Sequence, residues 1–126
     1  MRNIFVFGSN LAGRHGKGAA LYARRWHGAI YGQGEGLQGD SYALPTKDEK
    51  IKTLPLDVIQ RHIDNFLIHA EGNPDNLYLV TPIGCGLAGY PKRKIAPLFK
   101  KPSLPGNIVF TKEWFEDYNE VNTFGS

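Results

Sequence analysis

Two short glycine clusters carry most of the chemical promise of this chain. Gly16-Lys17-Gly18-Ala19 lies just before a run of helix formers, and Gly84-Cys85-Gly86 follows an apolar run. A glycine loop at a helix start exposes backbone N–H groups, and those donors, with the positive helix end, favour phosphate. Glycine suits such a loop because the backbone can approach an anion closely with no Cβ in the way. The alternative is two tight turns with packing glycines. Neither cluster matches G-x-x-x-x-G-K-[ST] or a strict G-x-G-x-x-G opening a helix.

Around these clusters stand a few residues with two readings each. Asn10 holds a ribose hydroxyl or braces a turn. Lys47, beside Asp48 and Glu49, is a phosphate contact, a nucleophile or a solvated charge, and Asp40 is a base or a turn residue. A lysine nucleophile needs help losing its proton, because its ordinary pKa is about 10.4. His15 lies in the first loop and is the histidine to test. His62 and His69 belong to a helix and read as surface or edge residues. The four histidines and Cys85 have no metal-ligand spacing, so no metal or cofactor is expected. Cys85 is a reactive thiol or, more ordinarily, a small packing residue. Tyr22, Trp26, Tyr31 and Tyr90 lie near the loops, where one could stack on a base; core packing is the default for Trp26. The basic run Lys92-Arg93-Lys94, with Lys100-Lys101, touches nucleic acid or a phosphate tail, or is a solvated helix face.

The elements that must position these residues are legible in outline. Asn3–Phe7 reads as a buried strand ended by Gly8, followed by a glycine loop to Gly18 and a helix over Ala19–Trp26. The stretch Gly28–Gly39 holds five glycines and reads as irregular. Ser41–Thr46 is a short strand in which Pro45 marks an end or an edge. Leu56, Ile59, Ile63, Phe66, Leu67 and Ala70 recur at helical spacing between Pro55 and Gly72. Asn76–Thr81 is a strand, Pro82–Tyr90 the second glycine loop, Pro91–Lys100 a short helix interrupted by Pro97, and Asn107–Thr111 a last strand. The tail from Lys112 is aromatic, then frays into polar residues. Alternating strands and helices predict an α/β fold with a mainly parallel sheet covered on both faces. Both glycine loops then leave the carboxyl ends of strands and face one cleft.

The 126 residues fit one domain, 1–126, with a core of its own. A net charge of +3 suits an anionic ligand but does not by itself imply nucleic acid. There is one cysteine, no apolar run of membrane length and no signal-peptide pattern, so a cytoplasmic protein with no membrane partner is expected.

Taken together, Gly16-Lys17-Gly18-Ala19-Ala20-Leu21, Tyr42-Ala43-Leu44-Pro45-Thr46-Lys47 and Ile83-Gly84-Cys85-Gly86-Leu87 resemble a macrodomain, over about Phe5 to Phe99. They are most similar to the branch with terminal ADP-ribose protein glycohydrolase and the DNA ADP-ribosyl glycohydrolase antitoxins. Phe7-Gly8-Ser9-Asn10-Leu11-Ala12-Gly13 and Tyr31-Gly32-Gln33-Gly34 resemble loops of a compact macro-like family of bacteria and their phages. The resemblance implies a three-layer α/β/α fold that binds ADP-ribose, a related nucleotide or an ADP-ribosylated macromolecule. Gly16, Gly18, Ala19, Gly84, Cys85 and Gly86 would give backbone donors to a diphosphate, Asn10 would contact ribose, and Lys17 and Leu87 complete the ligand-binding set. In the glycohydrolases a lysine at the position of Lys47 attacks the anomeric carbon, which would make Lys47 the catalytic residue of an ADP-ribosyl hydrolase. The acidic partner of that lysine directly follows the I-G-C-G-L motif, where this chain has Ala88. Aligned by the first loop, the chain starts at what would be the second strand of a larger macrodomain, so a shortened N-terminus without the usual acidic contact to adenine is expected. A basic nucleic-acid-binding module is the remaining alternative.

Overall fold

The computed structural model describes residues 1–116. Strand β1 spans Arg2–Asn10, helix α1 Gly18–Trp26, β2 Gly36–Gln38, β3 Ser41–Lys47, α2 Leu56–Glu71, β4 Asn76–Val80, α3 Lys92–Ile95 and β5 Ile108–Phe110. Two 3₁₀ turns cover Ala96–Phe99 and Lys112–Phe115. The strands form one sheet in the order β2-β3-β1-β4-β5, with β3, β1, β4 and β5 parallel and β2 antiparallel to β3. The expected α/β fold with a mainly parallel sheet is what forms.

The central strands are apolar at consecutive positions because each face meets its own core. On β1, Ile4 and Val6 join a large cluster with Tyr42, Leu44, Tyr78 and the α2 residues Ile59, Ile63 and Phe66. Phe7 turns the other way, to Ala20, Ala23, Ala29 and Ala43, with Phe5 packed against them. The helix α1 therefore sits on one face through two alanines, and α2 covers the other through a stripe at helical spacing. Asp57 lies in the first turn of α2, where a carboxylate favours the positive end. The closing Gly72 has an ordinary φ of −76°, so it ends the helix without a left-handed cap.

Several expected boundaries shift. Gly8 does not end β1; the strand continues to Asn10 because Ser9 pairs with Pro45 and, after a register shift, Asn10 with Lys47. The stretch Gly28–Gly39 is not wholly irregular, since Gly36–Gln38 pairs with Ser41–Ala43. Pro45 does not end β3, but it lies where the outer side of the strand is an edge. It fits inside β3 because β2 reaches only to the register of Ala43, leaving no partner that needs the missing N–H. The last helix is interrupted as expected, α3 giving way to a 3₁₀ turn with Pro97 near its start. Trp26 is not a core residue: it is 71% exposed, because α1 turns its alanines inward. Trp114, in the aromatic start of the tail, is fully buried against Phe99 and Phe110, with its indole N–H donating to Val80 O at 2.8 Å. The rest of the expected frayed tail lies outside the described residues. Among the described residues, no helix is long and apolar enough to cross a membrane.

Trp114→Ala should cost about 3–5 kcal/mol, the usual cost of a large cavity in a core, read from urea unfolding. A second expectation concerns acid. Asn76 Nδ2 donates to the Tyr78 hydroxyl (3.3 Å), which shares a hydrogen bond with His69 Nε2 at 2.7 Å. Burial holds the pKa of His69 below the ordinary histidine value. An unfolded histidine takes up its proton near pH 6.5, before the folded one does. Stability should therefore fall as pH drops through about 6.5 and level off below the folded pKa. The profile of His69→Leu should be flatter in a pH series of urea melts.

Candidate functional site

The carboxyl ends of β1, β3 and β4 open onto one cleft of about 750 Å³. This is where a parallel sheet usually binds ligands, and the chain reverses direction across the sheet here, from β3 on one side of β1 to β4 on the other. Gly8 is the hinge of the arrangement. A Cβ there would lie 3.3 Å from Gly84 N and 3.4 Å from Thr46 Oγ1, so the second loop rests on β1 at a glycine. Gly84 takes φ +75°, a conformation that favours glycine, to make the turn.

The two glycine loops face each other across the cleft. A Cβ at Gly18 would lie 3.6 Å from Leu87 Cδ1. Among the described residues, the backbone N–H groups of Gly18, Ala19, Gly86 and Leu87 have no hydrogen-bond acceptor. The first two are orphan donors of the α1 N-terminus. Its N-cap residue is Lys17, with no side-chain cap and no acidic residue in the first turn. A cation at the positive end of a helix opposes the helix dipole, and Ser, Thr, Asp or Asn would be the stabilising choice. The local electrostatics thus favour an anion from outside.

The cleft is lined by Asn10, Gly16, Lys17, Gly18, Ala19, Lys47, Gly84, Gly86 and Leu87, so nine of the ten expected site residues meet there. Cys85 is the exception. It packs against the large core, and its N–H donates to Pro82 O at 3.2 Å, so it cannot serve as a ligand donor in this geometry. Asn10 braces the turn: its Oδ1 accepts from Arg14 N (2.9 Å) and its Nδ2 donates to Arg14 O (3.0 Å). Lys47 is half-buried, and its carbonyl accepts from Leu11 N at 2.9 Å. Arg14, Thr81 and Ile51 also line the cleft, and the sequence reading missed them. Arg14 was in plain view inside the first glycine loop; Ile51 had no signal. Ile51 has φ +64°, costly for a β-branched residue, and is held so by Asp48 Oδ1 accepting from Lys50 N and Lys52 N. Tyr31 lines the cleft as one of the four candidate aromatics, whereas Tyr22, Trp26 and Tyr90 do not.

Among the described residues, no Asp or Glu lines the cleft, while Arg14, Lys17 and Lys47 do. Asp48 is committed to its own loop, and Asp40 pairs with Arg2 at 2.9 Å at the opposite end of β3 from Lys47. Glu49 is exposed and does not line the cleft. Ala88 does line it, and its carbonyl accepts from Thr53 Oγ1 at 2.8 Å. His15 is no cleft group: it is fully buried, with Nε2 facing the acceptors Gln33 O (3.0 Å) and Gln38 Oε1 (3.2 Å). No group of three His, Cys, Asp or Glu residues among the described residues could hold a metal.

Replacing the unfavourable cap should separate stability from ligand affinity. Lys17→Ser is expected to stabilise the ligand-free protein by about 0.5–1 kcal/mol in urea unfolding while weakening anion binding. No protein-family model, curated protein or solved structure matches the chain.

Proposed function

We propose that this chain is a macrodomain-like α/β/α domain that binds ADP-ribose or a related phosphorylated nucleotide in the cleft between its two glycine loops. The observation that carries the proposal is the cleft's one-sided chemistry: among the described residues, unpartnered backbone donors and three cations, with no carboxylate in the lining. A diphosphate satisfies both the donors and the charge. The volume of about 750 Å³ lies within the usual range for small-molecule sites. Tyr31, Ile51 and Leu87 give the rim exposed apolar surface, at 55, 37 and 66%, for the flat and apolar parts of a nucleoside.

Binding rather than hydrolysis is the reading the residues favour. Attack by Lys47 on a ribose carbon requires a base to take the lysine proton and an acid for the leaving group. Among the described residues the cleft offers no carboxylate for either task, and Ala88 occupies the position where the resembled glycohydrolases carry one. Lys47 then acts as a fixed positive charge beside the distal phosphate or ribose.

Calorimetric titration with ADP-ribose, and with AMP, ADP and NAD for comparison, tests the proposal. Saturable binding with preference for ADP-ribose is expected. A Cβ at Gly86 meets nothing within 4 Å, so Gly86→Glu should fold normally, yet it puts a bulky anion into the cleft and should abolish binding. Lys47→Ala should weaken binding by about tenfold, the scale of one hydrogen bond to a charged group. Binding that survives Gly86→Glu unchanged would remove the cleft as the site.

A further inference from the structure

The helix α1 is built inside out. Its buried side is Ala20 and Ala23, while Tyr22 and Trp26, one turn apart on the same stripe, are 51% and 71% exposed. Arg24 and Arg25 lie on the same helix, and the Arg24 guanidinium stacks over the Tyr31 ring at 5.0 Å. Cations near a helix C-terminus complement the dipole, which accounts for the arginines. It does not account for an indole left in water, nor for the charge around it. All twelve carboxylates of the chain lie from Glu35 onward, so Arg2, Arg14, Lys17, Arg24 and Arg25 share their segment with no acid. Among the described residues, Arg14, Lys17, Arg24 and Arg25 form no ion pair. The other basic run behaves differently: Lys101 pairs with Asp64 at 2.8 Å and Lys92 donates to the Glu113 carbonyl.

We propose that the outer face of α1, with Trp26, Tyr22, Arg24 and Arg25, binds single-stranded nucleic acid beside the small-molecule cleft. The chemistry matches the occupant: cations track a phosphate backbone, and exposed aromatic faces stack on bases of any sequence. A single strand fits better than a duplex, whose bases are already stacked. A second copy of the chain fits poorly, because a two-fold contact would set this cationic face against itself. The face runs about 12 Å along α1 from the cleft mouth at Gly18 to Trp26. A strand on it would thus pass the cleft without entering it.

The test is fluorescence anisotropy with labelled oligothymidylate and oligouridylate over a salt series, alongside tryptophan emission. The chain has two tryptophans, and Trp114 is buried, so binding should quench Trp26. Trp26→Ala should weaken binding by about tenfold, the scale of one base–aromatic stack. Removing two charges with Arg24→Gln and Arg25→Gln together should lower the log–log salt slope by about 1.4. Gly86→Glu should leave oligonucleotide binding intact, which separates this surface from the cleft, and binding of either sugar type supports the proposal. It is overturned by no binding at low salt, by binding indifferent to Trp26→Ala, by equal affinity for a duplex, by preference for phosphatidylserine vesicles, or by sedimentation showing a dimer that Trp26→Ala dissolves.

Discussion

The cleft depends on a close approach between two backbones. The second glycine loop lies on β1 at Gly8, where even one added carbon would sit 3.3 Å from Gly84 N. Close packing leaves little room for such a carbon, so a side chain here would push the loop away from the strand. That single contact sets the depth of the cleft, brings Thr46 at the end of β3 against the same spot, and fixes where Gly86 and Leu87 present their N–H groups. The glycines therefore divide by role. Gly8 and Gly84 are demanded by the protein's own packing and turn geometry, whereas Gly16 and Gly86 have open space around them and an unstrained φ. Nothing in the fold requires glycine at those two positions, and a ligand close to the backbone would.

The electrostatics follow the same division. The α2 N-terminus carries Asp57, in keeping with its dipole, and needs nothing from outside. The α1 N-terminus carries Lys17 and opens onto a cleft that also holds Arg14 and Lys47. Three cations around orphan donors repel one another and lower the stability of the empty protein, a pattern expected where function and stability compete. A carboxylate in the cleft would relieve that repulsion, and the same carboxylate would be needed to activate Lys47. Its absence among the described residues weighs at once against hydrolysis and for an anionic ligand.

Much of this was legible in the sequence, for identifiable reasons. The α2 stripe, the apolar β1 and β4, and the two glycine loops each carry a local pattern, and their alternation implies the parallel sheet. What failed depended on distant partners. Cys85 belongs to the glycine motif by sequence, yet its N–H is taken by Pro82 and its side chain joins the core, which no spacing reveals. Pro45 looks like a strand end until β2 is seen to stop short of it. Trp26 and Trp114 exchanged roles: the one in a helix is exposed and the one in the tail is buried, because alanines seat α1 while Phe99 and Phe110 leave a slot for an indole. Composition cannot say which tryptophan a core has room for.

His15 shows how a polar residue suggestive of catalysis can serve the site at one remove. Gln38 Oε1 accepts from Ile30 N at 2.7 Å, and its Nε2 donates to Gln33 O at 3.1 Å, which fixes the amide's orientation. Both partners of His15 Nε2 are then acceptors, so that nitrogen carries the proton, and Nδ1 has no partner among the described residues. The network ties the first glycine loop to the segment that presents Tyr31, and Gly32 N donating to Gly13 O at 2.8 Å adds a backbone link between them. His15 thereby joins the loop that carries Arg14 to the segment that carries Tyr31. The wall of the cleft that would read a nucleoside is therefore set by the same buried bonds that hold the first glycine loop in place.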